Sequence, residues 1–240
     1  MSRYTINNRE LASVTEIISA CTNKAPALMQ WAANCVRDGF TKNMTCVEGE
    51  WVHIADIIAV LKSARFEYKR VSKQALRDGS LTHKLIHRHF LGKKVNLWVF
   101  NMAVTNAFTA FLKFCDDYHP APLVCEETIY GEFWAGTCDF IGTLLYDTFN
   151  SPSYLLDWKT SSGLYGNEAR IQTAAYRSAI KPQDVVLYHG AVRLDKKTAE
   201  YEFKDYSKTY NQDLKIFNLM VQLFYESRPR IAKKAGYKWT

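Results

Sequence analysis

At 240 residues and 48% hydrophobic content, the chain is long enough to bury a real core and reads as one compact domain, with room for a helical elaboration. It has no run of eighteen apolar residues and no charged-then-apolar start, so neither a membrane span nor a secretory signal is expected, and the chain reads as cytoplasmic. A formal charge of +7 and a pI of about 9.0 favour a polyanionic partner.

No internal repeat or low-complexity tract is visible, and the first 120 residues read mostly as helix. Ser13 caps a segment over 14–21, and Pro26 stands near the start of another that runs to Val36 or beyond. Helical patterns follow over 51–64, 65–90 and 98–117. Within the third, Asp78 or Ser80 can cap a helix that places His83, His87 and Phe90 on one stripe and His89 elsewhere. Three histidines this close suit a solvated, nucleic-acid-facing surface, and that is the reading for His87 and His89. His83 is the metal-ligand candidate, because of the residues downstream.

Strand patterns dominate from 123 to 158. In the first, over 123–130, Glu126 and Glu127 read as surface acids at a strand edge, with a place at the site as the alternative. The second, over 133–145, is largely apolar with Asp139 inside it. An acid in such a run is costly to bury unless it is paired, accepts backbone hydrogen bonds or binds a metal. Gly136 and Gly142 make a bulge or close backbone approach plausible on either side. The loop over 147–153 carries the turn signal Asn-Ser-Pro and makes an antiparallel hairpin with the next strand.

That strand, over 154–161, contains Asp157-Trp158-Lys159. Alternation puts Asp157 and Lys159 on one face and Leu156 and Trp158 on the other. Read alone, the acid and base could be an exposed ion pair on a strand end. The hairpin, however, brings Asp139 within reach of Asp157. Two carboxylates held together call for a cation between them, and oxygen ligands with water suit Mg²⁺ or Mn²⁺. Lys159 would orient the attacking water or stabilise charge on the phosphoryl oxygens, with a lowered pKa left open.

A helix over 167–180 puts Gln172 and Tyr176 on one face, where Gln172 can position Lys159 or bind a phosphate. The alternative is an ordinary amphipathic helix with Ile171, Ala175 and Ile180 as core. Strands over 185–189 and 199–203, joined by a turn at Asp195-Lys-Lys, and a closing helix over 206–225 complete the pattern. Beyond it, Arg228, Arg230, Lys233, Lys234 and Lys238 with Tyr237 and Trp239 form a basic, aromatic tail: a grip for nucleic acid or a frayed terminus. The six cysteines contain no C-x-x-C pair and read as buried thiols rather than a zinc site. The fold class is α/β, a central mixed sheet flanked by helices, with a helical N-terminal half.

In order, the chain carries Gly79-x-x-x-His83, Gly136-x-x-Asp139, Asp157-x-Lys159 and Gln172-x-x-x-Tyr176. This series resembles the RecB-like branch of the PD-(D/E)XK nuclease superfamily. The segment at 12–18, with Ala27-Leu-Met-Gln-Trp-Ala-Ala, looks like the opening of bacteriophage exonucleases of this branch. Leu155-Leu-Asp157-Trp-Lys-Thr-Ser looks like mitochondrial genome maintenance exonucleases. The similarity covers most of residues 10–180. Cys138 stands where the superfamily has its Pro, and Asp157 where many relatives have Glu; neither removes a ligand.

The resemblance implies a restriction-endonuclease-like core over 121–240, with residues 1–120 as a helical wall of a DNA cleft. It implies metal ligands at His83, Asp139, Asp157 and the main-chain carbonyl of Trp158, with Lys159 as catalytic lysine and Gln172 and Tyr176 completing the site. Some relatives hold an iron–sulfur cluster through C-terminal cysteines. No Cys follows position 138, so none is expected here. The implied function is a Mg²⁺- or Mn²⁺-dependent DNA exonuclease, acting on single strands or duplex ends in phage recombination or DNA processing, with a recombination or single-strand-binding protein as a further partner. A structure-selective endonuclease and a non-cleaving DNA-binding recombination accessory protein are the alternatives.

Overall fold

The structure, a computed structural model, describes residues 3–22, 25–44, 54–144, 153–180 and 187–238. Trp51, the 147–152 part of the predicted hairpin loop, Val185 and Trp239 lie outside the described residues, as does Cys46. The chain divides into two compact units, one of residues 23–80 and one of residues 1–22 with 81–240. The first contains α2 (Ala25–Met44) packed on α3 (Ile54–Ala64), and the start of α4 (Glu67–Phe90).

The second unit is built on a sheet of seven strands. It opens with a hairpin that the helical reading of the N-terminal half did not anticipate, β1 (Arg3–Ile6) with β2 (Arg9–Ser13). Asn7 and Asn8 both take positive φ, 48° and 62°, and Ile6 pairs with Arg9. Asparagine tolerates this left-handed backbone, which a two-residue turn needs if its twist is to match the strands. Ser13 then caps α1 (Val14–Cys21), its Oγ accepting from Glu16 N at 3.0 Å.

The remaining strands are β3 (Ala121–Tyr130), β4 (Trp134–Thr143), β5 (Ser153–Lys159), β6 (Leu187–Leu194) and β7 (Tyr201–Asp205). Their path is β1-β2-β4-β5-β6-β7, with β3 on the far edge of β4. β2 with β4 and β5 with β6 are parallel, and the other pairs are antiparallel, so the sheet is mixed. The parallel step from β5 to β6 is crossed by α6 (Glu168–Ala179), as such a connection requires.

One edge of β4 is shared. β2 pairs with it at Trp134 and Ala135, and β5 pairs with it from Phe140 to Thr143. Between these, no strand among the described residues pairs with residues 136–139 on that edge, and Asp139 stands at the fork.

Apolar clusters cover both faces. Val14, Ile17, Ile171, Ala175, Phe217 and Phe224 pack on one side with Leu155 of β5. Leu85, Ile86, Phe108, Phe111 and Phe114 pack on the other with Leu156 and Trp158. The alternation expected of β5 is thus met. The second layer comes from α4 and α5 (Met102–Tyr118), and the first from α1, α6, α7 (Tyr210–Glu226) and α8 (Pro229–Ala235).

Two expectations are corrected, and one of two alternatives for the C-terminal segment falls away. Asp78 and Ser80 start no helix: α4 runs unbroken through them, and Asp78 accepts from Gln74 Nε2 at 2.8 Å one turn earlier. The helix expected from Trp98 begins at Met102, because Asn101 caps it through Val104 N at 3.0 Å, and Leu97–Val99 forms a separate 3₁₀ turn capped by Asn96. The basic segment after Glu226 is not frayed. It forms α8, started by Pro229 and ended by Gly236 at φ 68°, with Ala232 and Ala235 buried and Tyr237 stacked on Tyr225 at 5.1 Å.

Candidate functional site

β4 and β5 pair with Phe140 opposite Leu156, and the next residues toward the fork are Asp139 and Asp157. Past this point Asp139 replaces the backbone ladder: its Oδ2 accepts from Trp158 N at 2.9 Å. Gly136 explains itself by what lies above it. A Cβ there would stand 2.5 Å from Cε1 of Tyr176 and 2.7 Å from its hydroxyl, so glycine lets the Tyr176 ring lie on the strand.

Asp157, Lys159, Gln172 and Tyr176 form one connected set. Lys159 Nζ lies 2.7 Å from Asp157 Oδ2 and donates to Gln172 Oε1 at 2.9 Å. Gln172 Nε2 donates to Asp157 Oδ1 at 2.8 Å and to the Tyr176 hydroxyl at 3.4 Å. Gln172 therefore sits in the core, not at its edge, bridging the acid and the base. Burial pushes the Asp157 carboxyl up, against the Lys159 charge, and the nearby Asp139 adds to the rise. Burial pulls Lys159 down, but the charge and hydrogen bond of Asp157 outweigh it, so its pKa is raised. The lowered value left open by the sequence is not what the site produces. Tyr176 is held well above its ordinary value by burial and by Asp157 and Asp139.

On the other side of Asp139, α4 delivers His83. Its Nδ1 faces Asp139 Oδ1 at 3.3 Å and Glu126 Oε1 at 3.6 Å, and its Nε2 faces the Trp158 carbonyl at 3.0 Å. Acceptors at both nitrogens favour the doubly protonated ring. Burial lowers the His83 pKa, yet Asp139 and Glu126 overcome it and raise the value to about 10.

Ligand atoms of His83, Glu126 and Asp139 all lie within 4.8 Å of one another. Glu126 corrects the surface-acid reading; Glu127 keeps it, being exposed. Glu126 falls between the pairs Cys125–Phe140 and Glu127–Cys138, opposite Asp139, with a left-handed φ of 55°. A non-glycine residue pays about 1–2 kcal/mol for that backbone, and such strain collects at functional sites. The signal that could have found it is register: the β3–β4 hairpin sets Glu126 against Asp139.

The residues fit a hard divalent cation. One imidazole and two carboxylates converge, the Trp158 carbonyl adjoins them, and Asp157 Oδ2 is buried beside them with the Lys159 ammonium as its partner at 2.7 Å. Asp157 stands outside the tight cluster of three, close enough for its charge to reach His83. His87 and His89 are not part of it; His89 is exposed, with its ring edge-on to Phe111 at 5.4 Å and Phe108 at 6.1 Å. Cys21, Cys35, Cys115, Cys125 and Cys138 are free thiols and join no metal cluster among the described residues. No described helix is long and apolar enough to cross a membrane. No protein-family model matches the chain, and no curated protein is significantly similar to it.

Proposed function

We propose that the chain is a metal-dependent deoxyribonuclease of the PD-(D/E)XK kind, with a restriction-endonuclease-like core, that hydrolyses phosphodiesters as an exonuclease on single strands or duplex ends. One observation carries the reading: the Asp157–Lys159–Gln172 network shares the fork of β4 with the His83–Glu126–Asp139 cluster. His83, Glu126, Asp139, Asp157 and the Trp158 carbonyl would hold Mg²⁺ or Mn²⁺. The bound ion would polarise the scissile phosphate and make hydroxide available near neutral pH.

The chain's own residues do the rest. Lys159 is an ammonium at neutral pH, so it donates to a phosphoryl oxygen and stabilises charge developing there. Gln172 fixes both Lys159 and Asp157, so neither has to reorganise as the phosphate enters. Tyr176 stays protonated and closes the inner end of the network. The basic balance of the chain suits a polyanionic substrate. The exonuclease mode and a role in phage recombination follow from the resemblance of the motifs.

The test is cleavage of end-labelled single- and double-stranded DNA with Mg²⁺, Mn²⁺ or EDTA, for wild type, Lys159→Ala and Asp157→Asn. Metal-dependent stepwise shortening, reduced about 10²–10³-fold in either variant, is expected. Cuts appearing at once within the strand favour an endonuclease. DNA that is bound yet left intact with either metal favours a non-cleaving accessory protein.

A further inference from the structure

The segment after α4 holds a feature that the site does not use. Trp98 is 97% exposed, with Val99 and Met102 exposed beside it. A tryptophan rarely stands in water without a partner. This one is not on a loose loop. Asn96 caps the 3₁₀ turn through Trp98 N at 3.1 Å, and Phe100 N donates to Leu97 O at 3.1 Å. Val95, Leu97 and Phe100 pack on the apolar cluster beneath. The turn is anchored by those three side chains and holds the indole outward.

The charge along this stretch of chain has one sign. No acidic residue occurs between Asp78 and Asp116. Arg88, Lys93 and Lys94 are exposed, and Arg88 Nη2 reaches the Lys94 carbonyl at 3.4 Å, tying the helix end to the loop. The segment follows directly on α4, the helix that carries His83, whose rise from His83 to Phe90 is about 10 Å. Trp, Met and Arg also occur at protein–protein contacts, but lysine is depleted there, and an aromatic face among cations suits an unpaired base and its flanking phosphates.

We infer that Trp98 is a stacking platform for an unpaired DNA base, with Arg88, Lys93 and Lys94 holding the neighbouring phosphates. The inference rests on the nuclease reading for its choice of nucleic acid. Its partner is a single strand, because a base inside a duplex has no free face to offer.

The experiment is a titration of wild type, Trp98→Ala and Trp98→Phe with a dT oligonucleotide in EDTA, read by tryptophan emission and anisotropy of a labelled strand. Wild type is expected to bind with quenching; Trp98→Ala loses most of the quenching and binds about tenfold more weakly, while Trp98→Phe keeps the affinity. Equal binding by wild type and Trp98→Ala overturns the platform, as does a wild type that does not bind. Sedimentation of both proteins gives the remaining outcome: a dimer that Trp98→Ala dissolves would make the patch a contact between copies and overturn it too. Because no metal is present, this readout is independent of cleavage. A protein that binds through Trp98 but never cuts defeats the nuclease reading alone, and one that cuts with Trp98→Ala unimpaired in binding defeats the platform alone.

Discussion

Gln172 is the side chain through which the acid and the base of the site are joined, accepting from Lys159 and donating to Asp157. Gln172→Ala removes both bonds and frees Lys159 to drift, so single-turnover cleavage should slow about 10²-fold with little change in DNA affinity. Gln172→Glu should be worse, because it sets a second carboxylate against buried Asp157; a variant as fast as wild type would remove Gln172 from the site. Two histidines contribute to the pH dependence of stability. Thr173 Oγ1 donates to Ala169 O and accepts from His189 Nδ1, which leaves His189 Nε2 bare and buried. Burial, then the Arg177 charge, push His189 down to about 4 from 6.5. The unfolded chain binds the proton more readily in that window. The stabilisation is therefore full above pH 6.5 and is lost, by up to about 3 kcal/mol, as pH falls toward 4. His83 works in the opposite sense: raised to about 10, it stabilises fully below pH 6.5 and loses that contribution as pH rises through 10. Urea unfolding in EDTA across this range should show two sloping limbs. His189→Leu should reduce the slope of the acid limb, and His83→Gln that of the alkaline limb between pH 6.5 and 9, above which Cys115 and Cys125, raised by burial, share the slope.

At the scale of elements, the fork of β4 governs the site, and two contacts hold it open. Gly136→Ala places a methyl against the Tyr176 ring and should cost about 1–3 kcal/mol in thermal unfolding while displacing Tyr176 from Gln172. Tyr225 of α7 donates to Phe133 O at 2.7 Å and accepts from Ala12 N at 3.2 Å, fastening β2 to the start of β4. Tyr225→Phe strips both groups of that partner, and urea unfolding should register a loss of about 1–3 kcal/mol. The core strands and helices were legible where periodicity is local: β4, β5, α1 and α6 stand within a few residues of where alternation and capping put them. The β1–β2 hairpin was not, because strands this short next to helical patterns carry too few alternations to declare themselves. Asp78 misled for a related reason. Its side chain is as good inside α4, accepting from Gln74, as it would be at a cap.

For the whole molecule, charge is the property that reaches beyond the site. The net +7 includes an acid-free stretch between Asp78 and Asp116 that carries His83 at one end. DNA affinity should therefore fall log-linearly with salt, with a slope of about −0.7 per phosphate contacted on a single strand, and drop about tenfold or more between about 50 and about 200 mM. Filter binding in EDTA measures this. A flat response would mean that the basic balance serves solubility and not DNA. The C-terminal basic residues belong to the same ledger in a fixed form: α8 is folded, with Lys234 paired to Glu10 at 3.0 Å and Arg230, Lys233 and Lys238 exposed.

The sequence by itself determined which residues could act together along one element. A strand has period two, so Asp157 and Lys159 share a face; a helix brings positions four apart together, so Gln172 and Tyr176 do as well. Tertiary structure alone decided what meets across elements. Glu126 enters the site through the register of β3 on β4 and a left-handed backbone. His83 meets a carbonyl 75 residues away through the packing of α4 on the sheet. The charge states depend on the same packing. His189 is lowered because burial and the Arg177 charge reach it through packing that no local pattern contains, whereas Lys159 is raised by Asp157, its neighbour on the same strand face, against the burial that packing imposes.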